Sequence, residues 1–205
     1  MIISSRHRYI FAASPKTGTH AVRRALREHM GPDDIEQVGL FIQKKFPMEE
    51  LARIGHGHIT LAEVRPFLPA EQFDGFFKFA FVRNPFDRFD SYSAFITREH
   101  GHFEKAPHVV MRHFLANPPP GILFQPQAHF VTDASGALIA DYIGRVEEMQ
   151  QSYDEIARRI GIPTAVLEKV NASRRDDYRR YYNAELIDGV AKLYARDLIL
   201  FGYEF

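Results

Sequence analysis

Three groups of residues in this chain have the types and spacing that handle anions and protons. The first is Ser14-Pro15-Lys16-Thr17-Gly18-Thr19-His20. Gly18 lets the backbone approach a ligand closely, Lys16 brings a mobile positive charge, and Thr17 and Thr19 bring hydroxyl donors. Apolar residues 9–13 precede this stretch and a helix-forming run follows it. It therefore reads as a strand-to-helix turn, where unpaired N–H groups and the positive end of the helix dipole meet. Such a turn can hold a phosphate or sulfate, although an ordinary turn with a solvated lysine has the same outline. The second group is Arg83, Arg88 and Ser91 within Arg83-Asn84-Pro85-Phe86-Asp87-Arg88-Phe89-Asp90-Ser91. Asn84 suits a helix cap and Pro85 a first helical position, which leaves Arg83 at a strand end and puts Arg88 and Ser91 on one helix face. This is a phosphate-binding arrangement, unless Arg88 pairs instead with Asp87, Asp90 or another carboxylate. The third group is His56 and His58, separated by Gly57. In an extended segment they project to one side, and Thr60 with Glu63 forms a helix-starting capping box just after them. A histidine at a strand's carboxyl end suits a general base. Metal sites take three or four ligands, so this pair predicts none.

The elements that position these groups follow from the apolar pattern. Residues 9–13 are short and continuously apolar, as in a central strand covered on both faces. Residues 19–29 read as a helix with Val22, Leu26 and Met30 in one stripe, stopped by Gly31-Pro32. Residues 35–52 read as irregular or briefly helical. Residues 76–82, aromatic and apolar throughout, carry the strongest strand signal. Residues 96–127 read as a variable loop and substrate wall, and residues 138–145 as another core strand. Helices are predicted over 146–160, with Met149, Tyr153, Ile156 and Ile160 inward, and over 183–200.

Composition bounds the function. A chain of 205 residues with 45% hydrophobic and 25% charged content predicts one soluble domain, residues 1–205. Net charge is zero and the pI is near 7.2, so nothing global points to nucleic acid or an anionic membrane as partner. Without cysteine there is no disulfide framework and no thiolate chemistry. No leader-like segment and no run near the roughly 20 apolar residues of a membrane span is visible, so stable membrane insertion is not expected and a cytoplasmic location is.

The nucleotide-triphosphatase loop G-x-x-x-x-G-K-[ST] is not present, because Lys16 precedes Gly18 and no first glycine stands at the required spacing. Two anion sites at strand-to-helix junctions, with a histidine pair between them in sequence, instead resemble the sulfotransferases that use 3′-phosphoadenosine-5′-phosphosulfate (PAPS). The likeness is greatest to the single-domain, bacterial-type carbohydrate O-sulfotransferase branch. Ser14 to Thr19 looks like that family's 5′-phosphosulfate loop, and Arg83 to Ser91 like its 3′-phosphate motif, R-[DN]-P-x-x-R-x-x-S.

The resemblance implies an α/β, P-loop-NTPase-like three-layer fold with a central, mostly parallel sheet of four or five strands. It implies a donor site of Pro15, Lys16, Thr17, Gly18, Thr19, His20, Arg83 and Ser91, joined more loosely by Ser173 and Arg174, and no metal. Lys16 would serve the bridging oxygen, and His58, or else His56, would take the proton of an acceptor hydroxyl on a small molecule or glycan. The desulfated product would be 3′-phosphoadenosine-5′-phosphate (PAP). His20 stands where such proteins often carry serine or threonine. A small nucleotide kinase of the same architecture and a non-catalytic nucleotide-binding module are the rival readings.

Overall fold

Strand β2 (Tyr9–Ala12), buried at every position, occupies the middle of a five-stranded sheet. The computed structural model describes residues 1–39, 42–167 and 177–205. Within these the other strands are β1 (Ile2–Ser4), β3 (Ile35–Glu36), β4 (Phe77–Val82) and β5 (Tyr142–Arg145), in the order β3-β1-β2-β4-β5. Helices α1 (Thr19–Arg27), α2 (Glu49–Arg53), α3 (Leu61–Val64), α4 (Ala70–Gly75) and α5 (Pro85–Thr97) occupy the first half of the chain. Then come α6 (His102–Lys105), α7 (Pro107–Ala116), α8 (Met149–Ile160), α9 (Ala184–Leu193) and α10 (Ala195–Phe201).

The chain divides into two compact units. The first comprises Met1–Val82 and Gln127–Val170, and the second Arg83–Pro126 and Asn171–Phe205.

The first unit contains the whole sheet. β2 pairs parallel with β4, and β4 parallel with β5, as buried strands fed by helical crossovers should. β1 pairs antiparallel with both β2 and β3, so the sheet is mixed where a mostly parallel one was expected. Strands of three and two residues carry no usable periodicity, and this antiparallel flank was therefore invisible in the pattern. Phe11 and Phe79, paired across β2 and β4, stack with ring centroids 5.2 Å apart. They share a core with Val22 and Leu26 of α1 and with Tyr153, Ile156 and Ile160 of α8. Both predicted helical stripes thus face the sheet. Lys78 alternates to the opposite face, where its ammonium donates to the Phe73 and Phe76 carbonyls and pairs with Asp141 at 3.0 Å.

The second unit is helical. Residues 96–127, expected as a loop, include α6 and α7, whose Phe103, Met111 and Phe114 are buried with Phe86, Phe89, Leu186 and Val190. The expected helix 183–200 breaks at Tyr194, where φ −114° and ψ 28° leave the helical range. Tyr194 donates its hydroxyl to the Phe124 carbonyl, and the Arg88 guanidinium lies 5.4 Å from its ring centroid. Here tertiary contacts override the amphipathic pattern.

Arg88 itself is 1% exposed and donates to the carbonyls of Leu123 (3.1 Å) and Gln125 (2.8 Å). It is a clamp inside this unit, which neither expected role for Arg88 foresaw. Arg88→Ala removes a large buried side chain together with its hydrogen bonds to two partly buried carbonyls, so it should destabilise by about 2–4 kcal/mol. Denaturant melts of the two proteins check this; an unchanged midpoint would show that the clamp contributes nothing.

Candidate active site

The loop after β2 turns by two left-handed residues. Lys16 has φ +65° and Gly18 φ +69°. A non-glycine residue in that region costs energy, and such strain collects at functional loops. Thr17 is fully buried and donates its hydroxyl to the Ser14 carbonyl at 2.9 Å. That hydroxyl fastens the turn, in contrast to the ligand donor read from the sequence, and its main-chain N–H is what it can offer an anion. Pro15 is buried beneath the turn, Lys16 is partly exposed and Gly18 exposed.

Gly18 is also the N-cap of α1, which has no side-chain cap and no acidic residue in its first turn. The other helices near the candidate residues are capped differently. Thr60 and Glu63 close a complete capping box on α3, and Asn84 accepts from the Phe86 N–H on α5. The N-terminus of α1 therefore keeps its donors and dipole for an external anion. A Cβ on residue 18 would lie 2.6 Å from Met149 Cε, besides adopting a strained φ. Gly18→Ala should accordingly cost about 1–2 kcal/mol of stability and displace the loop backbone, weakening anion binding. A thermal melt together with a nucleotide titration reads both effects, and wild-type values in each would contradict this picture of the turn.

His56 and His58 lie on the segment between α2 and α3, which is a loop and not the strand end expected. Gly55, with φ +74°, breaks the extension. Gly57 is required by packing: a Cβ there would run into the Gln37 carbonyl and come within 2.8 Å of Arg23 Nη2, which donates to the Gly57 carbonyl. That contact fixes the two histidines on either side. His58 Nδ1 lies 2.7 Å from the Ala13 carbonyl, the residue between β2 and the anion loop. Because a carbonyl only accepts, Nδ1 carries the proton and Nε2 keeps its lone pair. Burial lowers the His58 pKa to about 3. His56, also lowered chiefly by burial, uses its Nδ1 to accept the His58 main-chain N–H at 3.3 Å. Its lone pair is engaged, where that of His58 Nε2 has no partner among the described residues.

Positive charge gathers on the same unit. Arg23 and Arg27 both reach Glu36 at 2.9 Å and Lys44 reaches it at 3.4 Å, so one buried carboxylate faces three cations. His20, exposed in the first turn of α1, has its pKa lowered by burial and then by Arg23, Arg27 and Lys16. One residue missed by sequence reasoning is Ser14, whose fully buried hydroxyl has no hydrogen-bond partner among the described residues. Burying such a group is costly unless something satisfies it. Another is Ala13, whose contribution is a backbone carbonyl and leaves no trace in a side-chain motif.

In the second unit Asn84 caps α5 as predicted, and its amide also donates to the Glu204 carbonyl at 2.8 Å. Arg83 forms a two-bond fork with Asp87, Nε to Oδ2 at 2.5 Å and Nη2 to Oδ1 at 2.7 Å. The fork fixes the guanidinium plane at the start of the helix. Ser91 is 5% exposed on α5. Ser173 and Arg174 lie outside the described residues. No group of three or more histidine, aspartate or glutamate side chains that could hold a metal occurs among the described residues. No helix among them is long and apolar enough to cross a membrane.

A protein-family model described as the sulfotransferase family matches residues 1–204. The chain belongs to that family, which makes it a transferase whose general activity is sulfuryl transfer and which implies a small-molecule or glycan acceptor. No curated protein and no solved structure matches the chain.

Proposed function

We propose that residues 1–205 act as one PAPS-dependent sulfotransferase domain of P-loop-like, three-layer type, moving the sulfuryl group to a hydroxyl on a carbohydrate. The observation that carries this reading is the hydrogen bond of His58 Nδ1 to the Ala13 carbonyl. It ties a histidine with an available Nε2 to the strand that leads into an anion-binding turn.

The residues present suit the donor. The α1 N-terminus has no acidic residue in its first turn, Lys16 sits on the strained turn, and the buried Ser14 hydroxyl has a bond to gain. When bound, PAPS supplies the sulfuryl group and a phosphate leaving group. The N–H groups of Gly18, Thr19 and His20 would hold the 5′-phosphate, over the floor made by Pro15 and Thr17. Arg83, its plane held by Asp87, and Ser91 would serve the 3′-phosphate, with Ser173 and Arg174 as further contacts to the nucleotide. Lys16 would meet the negative charge that grows on the bridging oxygen as the sulfur–oxygen bond breaks. His58 Nε2 would accept the proton of the acceptor hydroxyl as that oxygen attacks sulfur in line. A pKa of about 3 keeps His58 neutral, the form a base must have, and the incoming anions would stabilise the imidazolium that forms. His56, whose Nδ1 is engaged, is the weaker candidate for this role.

The carbohydrate acceptor rests on the likeness of the two anion motifs to the carbohydrate branch. A nucleotide kinase reading is disfavoured by the loop, which lacks the glycine spacing of the triphosphate cradle. The test is an assay of PAP formation from PAPS over a panel of hydroxyl acceptors, sugars and glycans against phenols and simple alcohols. Release of PAP that depends on a sugar acceptor is the expected result. Phosphate transfer from ATP without any use of PAPS would overturn the reading.

A further inference from the structure

We infer that His20 is a proton-linked ligand of the donor, taking up a proton as the 5′-phosphosulfate settles on the first turn of α1. The inference rests on the donor reading above and adds to it a residue that sets how tightly, and at what pH, the donor is held.

The argument starts from where His20 stands. It is the second residue of α1, exposed between the buried Thr19 and Ala21. Its imidazole takes part in no hydrogen bond or ion pair among the described residues. Its charged neighbours are Lys16 on the turn and Arg23 and Arg27 on its own helix, with Arg24 one turn further on. From β3 comes Glu36, buried and already claimed by Arg23, Arg27 and Lys44. Among the described residues the histidine therefore stands in a local excess of positive charge.

That setting opposes an imidazolium in the free protein: partial burial of the ring first, and then the three cations, lower the pKa of His20 from its ordinary value of 6.5. The helix dipole acts in the same direction, because His20 lies at the positive end. An anion arriving at the same turn reverses the sign of the field. The neutral imidazole then gains by taking a proton and donating a charge-assisted hydrogen bond to a phosphate or sulfuryl oxygen. Linkage makes the effect reciprocal: if the anion raises the affinity for the proton, the proton raises the affinity for the anion. Donor affinity should therefore rise as pH falls from the pKa of the bound state to that of the free one, by up to about tenfold per pH unit for one proton. A serine or threonine in this place would give a pH-independent hydrogen bond.

The nucleotide's own phosphates also titrate, with a pKa near 6, so the difference between two proteins must be read and not one slope. The probe is PAP, which carries the 5′-phosphate. Protein with isotope-labelled histidine is titrated with acid by NMR, free and saturated with PAP, and the His20 signal is assigned by its loss in His20→Gln. The expected midpoint lies below 6.5 in the free protein and moves up by about one pH unit or more with PAP. Calorimetry near pH 6 in two buffers of different protonation enthalpy should show proton uptake that diminishes in His20→Gln. If PAP binds but the His20 midpoint does not move, or if the variant takes up as many protons as the wild type, the inference is wrong and the donor reading survives. Failure to bind PAP at all would overturn both.

Discussion

Replacing His58 by glutamine is expected to lower kcat by about 10²–10⁴-fold while leaving PAP affinity near that of the wild type. Glutamine can still offer an N–H to the Ala13 carbonyl, so the loop keeps its tie to the strand, but it cannot accept a proton from an alcohol. A loss in kcat/KM that arises entirely from PAP binding would mean that His58 positions the loop and performs no chemistry. If instead His56→Gln had the larger effect on kcat, the base would be His56.

The depressed pKa of His58 adds a pH signature. A base with an ordinary histidine pKa would lose activity as pH falls through about 6.5. His58 is neutral down to about pH 3, so kcat/KM should show no acid limb from this residue between pH 7 and 5. Stability follows the opposite logic. The unfolded chain binds a proton at this histidine below about pH 6.5, where the folded protein does not, so stability declines as pH falls from 6.5 towards 3. His58→Gln should flatten that decline, which denaturant melts across the range would measure.

Lys16→Gly is the second large effect, and it should separate activity from stability. Turnover should fall about 10²–10³-fold, the loss typical of removing one donor that meets charge developing in the transition state. The fold should not suffer. Lys16 sits at φ +65°, a conformation glycine adopts freely, so relief of strain offsets the greater freedom of the unfolded chain. Tm is expected to be unchanged or raised. A substantial drop in Tm with activity retained would make Lys16 a structural residue and remove it from the chemistry.

Both caps at the second anion motif and before α3 were legible because capping depends on local spacing: Asn84 before Pro85, and Thr60 three residues before Glu63. The inward faces of α1 and α8 were legible for the same reason, since 3.6-residue periodicity is written in the chain. The antiparallel flank was not, because β1 and β3 are too short to show alternation. Nor was the role of Arg88, which is set by two carbonyls 35 and 37 residues away. At the candidate site the residue types were legible, and the commitments of their atoms were not. Only the structure reveals that the Thr17 hydroxyl closes the turn, that Asp87 holds Arg83, and that Ala13 fixes the tautomer of His58.

The central claim, that this member of the sulfotransferase family uses a 3′-phosphorylated adenine nucleotide, is tested most directly by calorimetric titration with PAP against ADP and ATP. The account predicts selective binding of PAP, with the preference over ADP lost in Arg83→Ala while residual binding through the Lys16 turn persists. Equal affinity for PAP and ADP in the wild-type protein would contradict it and return a kinase or a simple anion-binding module to consideration.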